Sequence, residues 1–96
     1  LNRWVKRPVY HASFSLDPSE HLSDEAWSAI AKRYLEEMGF TQNQYVVVRH
    51  SDRDHDHIHV VAHRIRLDGS CVHDGWDYRR SEQIARQIER DYGLVS

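Results

Sequence analysis

The sequence predicts an α+β fold: an antiparallel sheet with two helices packed on one face and a histidine-rich hairpin on the other, open face. Three observations lead there. Residues 7–16, 45–50 and 57–66 alternate, or run in β-branched residues, as strands buried on one side do. Residues 24–38 and 81–93 place apolar side chains at three-and-four spacing, the stripe of an amphipathic helix. The order β-α-β-β-(β)-α then suits an antiparallel sheet under helices.

Each element has its own signals. In "RPVYHASFSL" (7–16), Tyr10, Ala12, Phe14 and Leu16 share one side, while His11, Ser13 and Ser15 share the other. Pro18 ends that strand. Ser23 is an N-cap, and Asp24 and Glu25 favour the first helical turn. The helix from Asp24 to Met38 carries Trp27, Ile30, Ala31, Tyr34, Leu35 and Met38 on one face, and Gly39 stops it with Phe40 packing back. "YVVVRH" (45–50) and "HIHVVAHRIR" (57–66) form a hairpin around "SDRDHD". Asp68-Gly69 is a turn, and Cys71–His73 is read as a short strand. Ser81 and Glu82 open the second helix, with Ile84, Ala85, Ile88 and Tyr92 on one face and Gly93 as its end.

Length and composition narrow the classes. The 96 residues make a single domain, 1–96, with one modest core. An apolar content of 40% is that of a globular chain. No apolar run reaches the roughly 20 residues a membrane span needs. A net charge of −2 argues against grip on nucleic acid by bulk electrostatics, yet Arg3, Lys6, Arg7, Arg79 and Arg80 supply a local basic rim. The single cysteine, Cys71, allows no internal disulfide and fits a reducing cytoplasm. The chain opens on Leu1, so it is expected to be a piece of a longer protein.

The chemistry concentrates in "RHSDRDHDHIHVVAHR" (49–64), with five histidines and three aspartates. If residues 52–55 form the loop, Ser51 faces Asp56 and His50 faces His57. Directly paired residues share a face at about 4.5–5.5 Å between Cβ atoms. His59, two residues on, lies on that face about 6.6 Å along the strand. Three imidazoles therefore converge, while Tyr45, Val47, Ile58, Val60 and Ala62 turn to the helices. His11, Ser13 and Ser15 extend the polar face if the first strand joins the sheet. A lone surface histidine is usually only solvated, but three on one face at ligand spacing point to a metal site. Asp52, Asp54 and Asp56 read as loop acids, with Asp54 best placed to orient a ligand imidazole. No His-Glu-x-x-His helix occurs, one cysteine excludes zinc fingers and zinc deaminases, and no glycine-rich phosphate loop is present.

The same stretch resembles the third motif of plasmid relaxases, mobilisation nucleases related to the T-DNA border endonucleases. His57-Ile58-His59 is the histidine–hydrophobe–histidine signature of the wider HUH endonucleases. "SFSLDPSEHLSDEAW" resembles the second relaxase motif and the helix after it, and "DGWDYRRSEQIARQIERDYGL" the helix that closes the nuclease core. The likeness runs from about Arg7 to Leu94. It implies His50, His57 and His59 as metal ligands, with Asp52 and Asp54 at the acidic positions beside them. His50, Asp54 and His55 are then expected in catalysis. Ser15 matches a position near the DNA strand, and Arg7, Arg79 and Arg80 are expected to contact DNA. His63 stands where relatives more often carry asparagine, beneath the site.

What the resemblance implies is a single-strand cut at a plasmid transfer origin. A tyrosine attacks the scissile phosphate, stays linked to the 5′ end and frees a 3′ hydroxyl. A divalent ion stabilises the charge, and a histidine helps remove the tyrosine proton. Magnesium or manganese is the expected working ion, whereas imidazoles would collect zinc or nickel on purification. Single-stranded origin DNA is the expected partner, along with accessory relaxosome proteins, in a bacterial cytoplasm. The family's tyrosine motif lies upstream of everything present here. Tyr10, Tyr34, Tyr45 and Tyr92 are expected on apolar faces, leaving Tyr78, in an expected loop, as the one local alternative. The chain is therefore expected to be a relaxase core fragment that binds metal without nicking DNA. Two other readings compete: a non-catalytic DNA-binding or structural zinc module, and a related rolling-circle replication initiator or transposase.

Overall fold

The computed structural model describes residues 8–50, 55–72 and 77–94. Five elements follow one another: β1 (Val9–Ser15), α1 (Asp24–Glu37), β2 (Tyr45–His50), β3 (His57–His63) and α2 (Asp77–Tyr92). Among the described residues the sheet is antiparallel in the order β1-β3-β2, so the histidine strand is central and its two neighbours are edges.

Residue parity decides what each face holds. Ile58, Val60 and Ala62 of β3 are buried, as are Trp27, Ile30, Ala31, Tyr34 and Leu35 of α1 and Ile84 and Ile88 of α2. These form one core with Leu16, Met38, Phe40 and Val72, and the inward residues Tyr10, Ala12, Phe14 and Val47 pack on it. The tyrosine hydroxyls stitch the layers together. Tyr10 Oη lies 2.8 Å from Tyr34 Oη, which lies 2.7 Å from Ser81 Oγ, joining sheet, α1 and α2.

The helix ends follow the predicted cap chemistry. Ser23 Oγ accepts from the Ala26 backbone N–H at 3.1 Å. Gly39 has φ +95°, and the Phe40 N–H reaches the Leu35 carbonyl at 2.7 Å, a Schellman closure that satisfies last-turn carbonyls. Replacing Ser23 with alanine removes that cap and is expected to cost about 1 kcal/mol. A melting curve should then shift down by roughly 4–8 °C. No shift would mean that α1 needs no cap.

Five local expectations are corrected. The second helix begins at Asp77 rather than at Ser81. Ser81 spends its hydroxyl on Tyr34 instead of on a cap, and Tyr78-Arg79-Arg80 contains no residue that would stop a helix. Strand β3 ends at His63, and the strand expected at Cys71 is a single bridge to Ile65; His73 lies outside the described residues. Tyr45, expected inside, is 44% exposed, because it sits on an edge strand at the margin of the helical layer, and Tyr92 in the last turn of α2 is 39% exposed.

Candidate metal centre

Backbone pairing brings the histidines together. The register places His50 opposite His57 and Ser15 opposite His57 on the other side, with Ser13 and Val48 flanking His59. On the open face this gives successive rungs Ser15–His57–His50, Ser13–His59–Val48 and His11–Val61–Val46.

One ligating atom from each of His50, His57 and His59 lies within 4.8 Å of the other two. The His50 and His57 rings stack at 4.9 Å with 7° between planes, and His59 stands edge-on to both at 5.1 and 5.4 Å. A first-row divalent ion holds imidazole nitrogens at about 2.1 Å, so adjacent donors end roughly 3–3.5 Å apart. Ligating atoms within 4.8 Å of one another approach that spacing, and a set of imidazoles suits such an ion. The residues therefore fit a metal. His50 is exposed and His57 and His59 are half-buried, so the centre opens to the face of the sheet.

The tautomers favour ligation as well. A carbonyl only accepts, so a hydrogen bond across the 3.4 Å contact of His57 Nδ1 with the His55 carbonyl puts a proton on Nδ1 and directs ligation to Nε2. His59 is held below the usual histidine range, first by burial and then by the charges that His50, His11 and His57 would carry.

Beneath the histidines, Asp56 is buried at 3% exposure. Its carboxylate accepts from Arg49 Nε and Nη2 at 3.1 and 2.8 Å, from the Trp27 indole at 3.0 Å and from the Leu22 N–H at 3.4 Å. Burial alone would raise its pKa, but these donors outweigh it and hold the carboxyl below the usual aspartate range. Arg49 also bonds Asp24 and the Leu22 carbonyl. Since Arg49 precedes His50 and Asp56 precedes His57, two ion pairs through Arg49 clamp the end of β2 and the start of β3 to the start of α1.

The other site expectations fall in several places. Ser15 is exposed on the rung of His50 and His57. His55 is exposed beside the trio, its ring 5.7 Å from that of His57. His63 is four residues up β3 from His59, about 13 Å along the strand, and its Nδ1 accepts from the Ile65 N–H at 3.2 Å. Arg80 donates to the carbonyl of Glu37, the last residue of α1, whereas Arg49, next to His50, holds the first, Asp24. The 14 residues of α1 span about 21 Å. Arg79 and Arg80 are thus not gathered with the histidines. Arg7, Asp52 and Asp54 lie outside the described residues.

Two participants are not singled out by the sequence. His11 Nε2 lies 3.0 Å from His59 Nδ1, with the rings stacked at 5.2 Å. Strand alternation places His11 on the open face, but nothing in the sequence shows which β3 residue it meets. Asp56 reads there as a loop acid, and its clue is parity: it falls on the face opposite the histidines, with Arg49.

All five tyrosines are described, and none is on the histidine face. Tyr10 and Tyr45 have the parity of the helix side, and Tyr34 and Tyr92 belong to the helices. Tyr78, 90% exposed, lies in the first turn of α2, at the Glu37 end of α1.

A family model described as "Relaxase: MobA/VirD2-like, nuclease domain" matches residues 1–94. No curated protein and no solved structure matches the chain.

Proposed function

Because this chain belongs to the relaxases as a MobA/VirD2-like nuclease domain, a family whose nuclease acts on DNA, we propose that its histidine face holds a divalent ion against the phosphate of a single DNA strand to be cut at a plasmid transfer origin. The observation that carries this reading is the convergence of His50, His57 and His59 on an open surface. When bound, the ion supplies positive charge for a phosphate oxygen. The chain's own residues orient and exchange protons around it. Ser15 shares the rung of His50 and His57, and in this reading it donates a hydrogen bond to the sugar–phosphate backbone. His55, exposed with its ring 5.7 Å from that of His57, would take the proton from an attacking hydroxyl. With no tyrosine on this face, the attacking hydroxyl comes from outside these residues. The working ion is magnesium or manganese, and the cut serves mobilisation.

A structural zinc would be enclosed by four protein ligands. The exposure of His50 and the open face favour an ion that keeps positions for water and phosphate. Among the described residues no helix is long and apolar enough to cross a membrane.

Fluorescence anisotropy with a labelled single-stranded oligonucleotide tests the reading. Manganese is expected to tighten binding, and the His57→Ala protein should lose that increment while keeping its metal-free affinity. Denaturing gels should show no covalent DNA adduct on this chain alone. A stable phosphotyrosyl adduct would overturn the assignment of the nucleophile, and DNA binding indifferent to manganese would overturn the role of the metal.

A further inference from the structure

We propose that His11 is a positioning residue for the metal centre, fixing the ring orientation and tautomer of His59; the inference rests on the metal reading above. His11 does not face His59 directly, since the register pairs it with Val61. It leans one rung along the sheet, past Ser13, to bring Nε2 within 3.0 Å of His59 Nδ1. Such diagonal pairs lie within reach of long side chains.

One of the two nitrogens must donate. A His59 that ligates through Nε2 carries its proton on Nδ1, so it donates to the bare Nε2 of His11, which then holds its own proton on Nδ1. His57 shows the same arrangement, with Nδ1 on the His55 carbonyl. Ligand histidines generally give their second N–H to such an acceptor, which fixes the ring and raises its basicity. Two ligands on the central strand are thus held by different acceptors, a main-chain carbonyl for His57 and an imidazole from β1 for His59. His11 lies outside the group whose ligating atoms converge, so it acts through His59 and not on the ion.

The test uses the intact chain and its His11→Ala and His11→Gln variants. In metal-free protein, long-range proton–nitrogen correlation spectra read the tautomer of His59. Wild type is expected to show Nδ1–H, and His11→Ala should revert toward the Nε2–H form that a free imidazole prefers. Manganese affinity should fall about 10–100-fold in His11→Ala. It should recover to within a few-fold in His11→Gln, whose amide oxygen can accept the same bond. A structural role alone would not move the tautomer or be rescued by glutamine.

An Nε2–H tautomer in wild type, or unchanged affinity in His11→Ala, would overturn the proposal. So would a glutamine variant as weak as alanine, which would make His11 a fourth ligand. If wild-type protein bound no manganese, the metal reading itself would fall, and this inference with it. Normal binding by wild type with no response to the variants would sink the inference alone.

Discussion

Replacing His59 with alanine is expected to lower affinity for manganese or zinc by more than about 100-fold, beyond the effect of losing a residue that only supports a ligand. His59 is suited to this test because it sits on the central strand, with Ser13 and Val48 paired on either side. Its ring faces the open side, so the substitution leaves the buried side chains of Ile58 and Val60 in place. The far-ultraviolet spectrum and melting temperature should change little. His21→Ala removes an exposed histidine outside the cluster and should leave affinity unchanged. Calorimetric titration of both variants separates a specific centre from loose binding by any histidine-rich surface. Equal losses in the two would contradict the assigned trio.

The second large effect is on stability. Asp56→Ala leaves the Trp27 indole and the Arg49 guanidinium without their shared acceptor in a buried position. Breaking a fully buried ion pair costs about 3–5 kcal/mol. Because Arg49 remains 30% exposed, about 2–4 kcal/mol is expected here. For a domain of this size that lowers the melting temperature by at least about 10 °C. The pH dependence carries the sign of the mechanism. The Asp56 carboxyl sits below its ordinary range in the folded protein, so its contribution is present above that range. It fades as pH falls through the folded value. The stability gap between wild type and Asp56→Asn should therefore narrow in acid, below about pH 4. A gap that stayed constant from about pH 7 to about pH 3 would mean that the clamp does not depend on the charge.

Metal binding should weaken in Asp56→Ala as well, without any ligand having been touched. Arg49 and Asp56 flank His50 and His57, and their shared bonds to Trp27, Leu22 and Asp24 hold both ends of the loop against α1. Loosening them lets the paired histidines separate.

Much of this is legible in residue patterns because strand parity and hairpin register are local properties. Pairing His50 with His57 follows from the loop between them, and His59 shares their face by alternation alone. The helix ends at Ser23, Gly39 and Gly93 are equally local. What escapes is set by contacts distant in the chain. His11 meets His59 across 48 residues, through a strand order that no short-range pattern specifies. Asp56 is buried because Trp27, 29 residues away, turns its indole N–H toward it. The start of α2 is misread because Ser81 resembles a cap, and only the position of Tyr34 shows that its hydroxyl is engaged elsewhere.

The central claim is an open metal centre of three histidines, and the coordination of bound manganese tests it most directly. Pulsed paramagnetic resonance of the manganese-loaded chain, recorded in ordinary and deuterated water, counts imidazole nitrogens and exchangeable water ligands together. Three imidazoles with water still bound, on a chain already folded before metal is added, is the predicted result. Bound manganese with no imidazole coordination, or an enclosed ion without water whose removal unfolds the chain, would contradict it.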